Sequence, residues 1–213
     1  MNYVVMLSGG VDSTFVAWKL LEEGHNVHLH HIKTSKKLQS DVEMLAAERI
    51  FYWLLEKYKN VSFSTSSLET NGFVCWDITN AAYIGAHVAR AAVGKFFNIN
   101  PYTDPLPDVC FGGELDLSEG FARRGGVAQD IFKACFKHEK QTPKFFSPAD
   151  HIPKEDMVKQ MPQQLLQMCW FCENPSIIRD HFAICGACHK CKLMTGLKKE
   201  QKLPNRDNKT ETR

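Results

Sequence analysis

The sequence predicts an α/β protein: a doubly wound parallel sheet, followed by a four-cysteine knuckle near the C-terminal end. Three observations carry this. Apolar runs of strand length at residues 3–7 and 108–111 each lead into a glycine pair, Gly9-Gly10 and Gly112-Gly113. Between them, stretches with apolar residues at helical spacing alternate with further strand-like runs, the pattern of parallel strands joined by helices. Five cysteines then crowd between positions 169 and 191.

The first element is the buried strand Tyr3-Val4-Val5-Met6-Leu7, and directly after it comes Ser8-Gly9-Gly10-Val11-Asp12-Ser13-Thr14. Phe15-Val16-Ala17-Trp18-Lys19-Leu20-Leu21 follows as the apolar start of a helix that Gly24 should terminate at C′. A strand, a glycine pair and a helix start make an anion-binding corner. Glycine lets the backbone turn tightly and approach a ligand closely. The first N–H groups of the helix and its positive dipole end then face the anion. Asp12, Ser13 and Thr14 fit first-turn positions, where their side chains cap early N–H groups or face a phosphate or its Mg²⁺. No Gly-Lys-Ser/Thr follows, so this is not a Walker A loop.

Residues 26–32 read as a second parallel strand, on which His28, His30 and His31 are expected as partly exposed strand residues rather than metal ligands. Val42, Leu45, Ala46, Ile50, Trp53 and Leu54 recur at helical spacing over 40–58, with Ser40 or Asp41 as cap. A short strand is expected at 60–66 and an alanine-rich helix at 78–97. Residues 108–113 read as a buried strand ending in the second glycine pair, on the same sheet edge as the first. Gly125-Gly126 should break the next segment, leaving a helix over 127–136, and Pro153 stands near N1 of a helix beginning at Lys154. The expected organisation is an α/β domain over 1–160, a metal-binding segment of the same compact unit over 161–196, and a polar tail over 197–213.

The 213 residues are 44% hydrophobic and 23% charged, an ordinary globular composition. No apolar run approaches the roughly 18 residues of a membrane span, and the first residues lack the features of a secretion signal. A cytoplasmic protein is the resulting expectation. The net charge of +2 is local: residues 197–213 carry six basic and three acidic groups, so the remainder is near neutral and slightly acidic. That balance offers no broad basic face for nucleic acid.

Of eight cysteines, Cys75, Cys110 and Cys135 are scattered and read as small buried hydrophobes or free thiols. Cys185-Gly186-Ala187-Cys188-His189-Lys190-Cys191 supplies three closely spaced thiols, and Cys172 or Cys169 supplies the fourth, with His181 and His189 also near enough to substitute. Without a secretion signal, such density reads as metal binding. Four soft ligands with no open position predict structural Zn²⁺, and an iron–sulfur cluster uses the same ligands. Elemental analysis is expected to find one zinc per chain, and a brown protein with visible absorbance would contradict it.

The Ser8-Gly9-Gly10-Val11-Asp12-Ser13 loop resembles the Ser-Gly-Gly-X-Asp-Ser signature of the PP-loop ATP pyrophosphatases, which have the adenine nucleotide alpha hydrolase-like fold. Together with Trp170-Phe171-Cys172 and Cys185-Gly186-Ala187-Cys188-His189-Lys190-Cys191, it makes residues 1 to about 195 resemble the 7-cyano-7-deazaguanine synthases. Lys154-Glu155-Asp156-Met157-Val158 is similar to that family's Lys-X-Glu-Ile-Val helix start. Asp116-Leu117-Ser118 and Arg124 match the frame of its Asp-Tyr-Ser-Gly-Tyr-Pro-Asp-Cys-Arg motif, with Glu119-Gly120-Phe121-Ala122-Arg123 in place of the centre. Glu114 stands near the family's asparagine position, and Trp76-Asp77 replaces an Arg-Asn pair.

The resemblance implies ATP with Mg²⁺ held by Leu7, Ser8, Gly9, Gly10, Val11, Asp12, Ser13, Thr14, Phe15, Val16 and Ala17, and zinc held by Cys172, Cys185, Cys188 and Cys191. Glu114, Asp116, Ser118, Arg124 and Lys154 become candidates for substrate binding or catalysis. It implies conversion of 7-carboxy-7-deazaguanine and ammonia to the nitrile through an adenylated carboxylate and an adenylated amide, releasing AMP and pyrophosphate, in queuosine-type biosynthesis by a homodimer with no nucleic-acid or membrane partner. The alternatives are a PP-loop tRNA sulfur transferase and a catalytically altered ATP-binding module.

Overall fold

A computed structural model describes residues 1–34, 37–69, 77–100, 104–113, 119–178 and 181–200, with side chains at 37, 119–124 and 197–200 outside that description. The central sheet has five strands: β1 (Asn2–Met6), β2 (Asn26–Thr34), β3 (Val61–Leu68), β4 (Asp108–Phe111) and β5 (Phe145–Phe146). All four pairings are parallel and the order is β3-β2-β1-β4-β5. The chain therefore steps outward from β1 to β3 and returns to the other side of β1 for β4. That reversal puts a topological switch point between β1 and β4, where a crevice opens at the carboxyl ends of the strands.

Helices α1 (Val11–Glu22) and α2 (Lys37–Lys57) cover one face, and α3 (Asp77–Lys95) and α4 (Glu119–Cys135) cover the other. On the first face, Val5, Leu7 and Leu29 pack with Phe15, Leu20, Ile50 and Leu54. Leu165, Leu166 and Met194, from α6 (Gln163–Met168) and α7 (His189–Glu200), join this same core beside Met157 and Val158 of α5 (Lys154–Gln160). On the opposite face, Val4, Met6 and Val109 meet the alanine stripe Ala82, Ala86, Ala89 and Ala92, with Phe132 and Phe136 behind it. Small α3 side chains let that helix lie close to the sheet.

Helix α1 ends as its sequence predicts. Gly24 has φ +78, its N–H donates to Leu21 O at 3.0 Å, and the His25 N–H donates to Leu20 O at 3.0 Å. These two bonds form a Schellman closure.

Several expectations are corrected. Helix α2 starts at Lys37, so Ser40 lies inside it, and its Oγ accepts the Thr34 N–H at 2.9 Å, tying helix to strand rather than capping. Gly125 and Gly126 do not break α4: the helix runs through them because Ala128, Phe132 and Phe136 bury its far half. Helix α5 does begin at Lys154, with Pro153 as its N-cap next to N1 and Glu155 and Asp156 in the first turn. The hairpin β6 (Ser176–Ile178) with β7 (His181–Ala183), lying within the cysteine spacer, had no clear pattern in the sequence.

The β2 histidines are not partly exposed. His28, His30 and His31 are 0%, 3% and 2% exposed. His28 and His30 form a ladder with the serines of β3: His28 bonds Ser62 at 2.8 Å and Ser64 at 2.7 Å, and His30 bonds Ser64 at 2.8 Å and Ser66 at 3.0 Å. His28 also stacks on Phe96. Burial lowers the pKa of His28 to about 3 and that of His30 to about 4. Both stay neutral in the folded chain while the unfolded chain protonates near the usual 6.5. Their contribution is fully present above that value and is lost as pH falls toward their folded pKa values. We therefore expect stability to fall between about pH 6.5 and pH 5 by up to roughly 1.4 kcal/mol per pH unit for each histidine. A melting temperature flat across that window would contradict this.

Candidate functional site

The loop after β1 is held by its own backbone and hydroxyls. The Leu7 N–H donates to His30 O at 2.8 Å, extending the pairing one residue past β1. Gly9 then takes φ +80, a conformation glycine adopts without Cβ strain. It sits so close beneath α2 that a Cβ would lie 2.6 Å from the Glu43 carbonyl oxygen. Gly10 is the N-cap of α1. Ser13 Oγ accepts the Ser8 N–H at 3.1 Å and pairs with the Ser8 hydroxyl at 3.0 Å, while the Thr14 hydroxyl donates to Gly10 O at 2.6 Å. Ser13 and Thr14 are buried, and their hydroxyls brace the loop. Phe15, Val16 and Ala17 likewise lie in the core, as does the Leu7 side chain. The first bond of α1 runs from the Thr14 N–H to Gly10 O, so the N–H groups of Val11, Asp12 and Ser13 precede the intrahelical ladder, the arrangement that receives anions.

Ser8, Gly10, Val11 and Asp12 face an open cleft, with Lys154 across it. Asp12 Oδ2 pairs with Lys154 Nζ at 3.1 Å, and the Asp12 Oδ1 atom is buried with no hydrogen-bond partner. An orphaned, partly shielded carboxylate oxygen beside a ring of N–H donors suits a hydrated Mg²⁺ that bridges to phosphate oxygens. The donor set therefore fits the cation. Beneath the loop, His31 Nδ1 bonds the Leu7 carbonyl oxygen at 2.8 Å, which requires the Nδ1–H tautomer, and its Nε2 is buried without a partner.

The far wall was not predicted from the sequence. Gln39 and Glu43 come from the start of α2, and Phe171, Glu173, Lys190, Leu193 and Met194 come from the cysteine segment. Their only sequence signal was proximity to the knuckle, since Phe171 and Lys190 sit inside the quoted motifs. Glu114, Asp116 and Ser118 lie outside the described residues, as does the Arg124 side chain; Lys154 is the one residue of that group whose side chain the structure describes.

Cys172, Cys185, Cys188 and Cys191 bring their Sγ atoms within 4.8 Å of one another, with Cys185 and Cys191 3.9 Å apart. A tetrahedral ion with Zn–S bonds of about 2.3 Å needs sulfurs roughly 3.8 Å apart, so the four thiols fit one zinc. A cluster would spread them over separate iron atoms. Backbone N–H groups donate to three of the sulfurs: Cys185 to Cys172 at 3.2 Å, Cys188 to Cys185 at 3.3 Å and Cys191 to Cys188 at 3.4 Å. The N–H groups of Cys188 and Ala187 lower the Cys185 thiol to about 6, toward the thiolate a metal requires. Cys169 stays apart, buried in the core with its thiol toward Leu165 O. Burial pushes the Cys110 thiol up, so it is no activated nucleophile.

The parallel sheet in the order β3-β2-β1-β4-β5 defines a HUP-like α/β fold, carrying a C-terminal four-cysteine cluster. The family described as tRNA methyl transferase HUP domain matches residues 1–49, the stretch that holds β1, the loop, α1, β2 and the first part of α2. The chain is also similar to a solved structure titled as a predicted subunit of tRNA methyltransferase from Methanocaldococcus jannaschii, at 14% identity and a TM-score of 0.39, covering 75% of this chain and 74% of that one. No curated relative matches. The family match is thus to a tRNA methyl transferase HUP domain, not to the deazaguanine synthases whose motifs the sequence resembles. Among the described residues, no helix is long and apolar enough to cross a membrane.

Proposed function

We propose that this chain is an ATP-dependent adenylating enzyme that releases pyrophosphate and AMP. The observation that carries it is Asp12, on the first turn of α1 just after Gly9-Gly10, which lines the cleft with one carboxylate oxygen buried and unpartnered and the other paired with Lys154. An acceptor oxygen attacks the α-phosphorus, the bond to the bridging oxygen breaks, and pyrophosphate leaves with its electron pair. A nucleophile then displaces AMP from the activated carbon. The loop N–H groups hold the charge that develops on the departing pyrophosphate, and the rigid loop keeps donors and phosphate aligned. Mg²⁺, held through Asp12, would neutralise the phosphate oxygens. Lys154, across the cleft from the loop, would carry its positive charge toward the α-phosphate or the acceptor.

For the acceptor, the match of residues 1–49 to a tRNA methyl transferase HUP domain supports a base in tRNA, as in a PP-loop sulfur transferase. The spacing of Trp170-Phe171-Cys172 and Cys185-Gly186-Ala187-Cys188-His189-Lys190-Cys191 supports 7-carboxy-7-deazaguanine with ammonia. Incubating the protein with ATP and Mg²⁺, and separately with that acid plus ammonia or with unmodified tRNA plus a sulfide donor, separates the two by mass spectrometry. AMP and a nitrile or amide in the first arm identify the small-molecule acceptor, and a thiolated base in the second identifies tRNA. Bound ATP with no AMP in either arm would overturn the enzyme reading and leave an ATP-binding module.

A further inference from the structure

We propose that metal occupancy of the four-cysteine site sets the affinity of the Gly9-Gly10 loop for nucleotide, with Trp170 as the positioning residue between the two; this rests on reading the cleft as an ATP site. The two sites share a short piece of chain. The Trp170 N–H donates to Gly9 O at 2.8 Å, fixing the loop glycine that has φ +80. A Cβ on Gly10 would lie 3.5 Å from the Trp170 carbonyl oxygen, so the same residue touches both loop glycines. Two positions later comes Cys172, and the Trp170 indole Nε1–H donates to the Cys172 carbonyl oxygen at 2.8 Å. The position of the Cys172 sulfur and the position of Gly9 are therefore linked through one braced tripeptide. Cys172 is also part of the cleft lining.

The opposite side of the knuckle closes the same cleft. Helix α7 begins at His189, between Cys188 and Cys191, and its first turns present Lys190, Leu193 and Met194 to the cleft. An ion that draws Cys188 and Cys191 together therefore sets the start of α7. The β6–β7 hairpin is thinly packed, with Ile177 and Ile178 57% and 56% exposed, whereas Phe171, Leu193 and Met194 pack against the main core. The Lys190–Glu173 pair at 3.3 Å joins two exposed side chains and holds little. Metal–thiolate bonds add to that packing and fix the knuckle at the start of α7, since ligation supplies folding energy in small metal modules.

Coupling of this kind is reciprocal. If the ion tightens nucleotide binding, nucleotide tightens zinc binding by the same factor, and ordinary couplings are about 5- to 150-fold. The test uses the zinc-loaded full-length chain with a chromophoric chelator competing for zinc, with and without ATP, and with Mg²⁺ in excess so that nucleotide does not itself strip zinc. The expected result is at least about a fivefold rise in zinc affinity at saturating ATP. Trp170→Phe, which keeps the backbone bond to Gly9 and loses the indole bond to Cys172, should retain one zinc per chain and the wild-type circular dichroism while this factor falls toward one. Zinc affinity unchanged by ATP that is shown to bind would overturn the coupling and leave the ATP reading standing. Full coupling in Trp170→Phe would overturn the role of Trp170. A zinc-loaded chain that binds no ATP would overturn both readings.

Discussion

Gly112→Ala is expected to lower the melting temperature by about 10 °C or more, since its added Cβ would make the closest approach of any at the described glycines. The added Cβ would lie 2.2 Å from Ser13 N, 2.6 Å from Ser13 Cα and 2.8 Å from the Asp12 carbonyl carbon. All three are backbone atoms of the first turn of α1, which cannot rotate aside as a side chain can. Overpacking against side chains typically costs about 1–3 kcal/mol, and here the strand end and the helix start must separate instead. That loss is a large share of the roughly 5–15 kcal/mol that holds a domain together. Gly113→Ala is the internal comparison: its Cβ would meet Phe111 Cε2 at 3.3 Å and Ser147 Oγ at 3.4 Å, side-chain atoms that can yield. Thermal unfolding of both variants decides the matter, and a Gly112→Ala protein that melts with the wild type would show the approach of β4 to α1 to be looser than described.

What the sequence revealed followed the range of the interactions involved. The strand at 3–7, the Gly9-Gly10 loop, the Gly24 stop and the cysteine spacing are all local, and each was legible. The glycine pairs could be assigned to one sheet edge because parallel strands share direction. The histidines were misread because their partners, Ser62, Ser64 and Ser66, lie more than thirty positions away and become neighbours only through the β2–β3 register. Alternation along β2 could not reveal that serines would satisfy those rings. Gly125-Gly126 was misread for a related reason: helix propensity is a weak local term, and the burial of Ala128, Phe132 and Phe136 outweighs it. The far wall of the cleft is tertiary altogether. Gln39 and Glu43 reach it from α2, and Lys190, Leu193 and Met194 from α7, whose start the cysteines position.

Asp12→Asn is expected to reduce pyrophosphate release by about 10²–10³-fold while leaving the fold intact. The substitution preserves shape and removes one negative charge at the only orphaned carboxylate oxygen among the described residues. Its stability effect should be small, because the Asp12–Lys154 pair is partly open to water, at 28% and 14% side-chain exposure, and such pairs contribute about 1 kcal/mol or less. Its catalytic effect should be large, because a preorganised group acting on transition-state charge is worth roughly 10²–10³ in rate. The charge balance in the cleft points the same way. With Asp12 neutralised, its ion pair with Lys154 is lost and the cation would lose its anchor, so ATP can still dock through the loop N–H groups while its leaving group goes unneutralised. The expected signature is therefore a fall in kcat much greater than any rise in KM for ATP, with a melting temperature close to that of the wild type. Lys154→Met provides the complementary measurement: it should also slow pyrophosphate release, yet leave the dependence on Mg²⁺ concentration unchanged, whereas Asp12→Asn should shift that dependence to higher Mg²⁺. A folded Asp12→Asn protein releasing pyrophosphate at the wild-type rate would remove Asp12 from the chemistry and reduce the loop to a binding element.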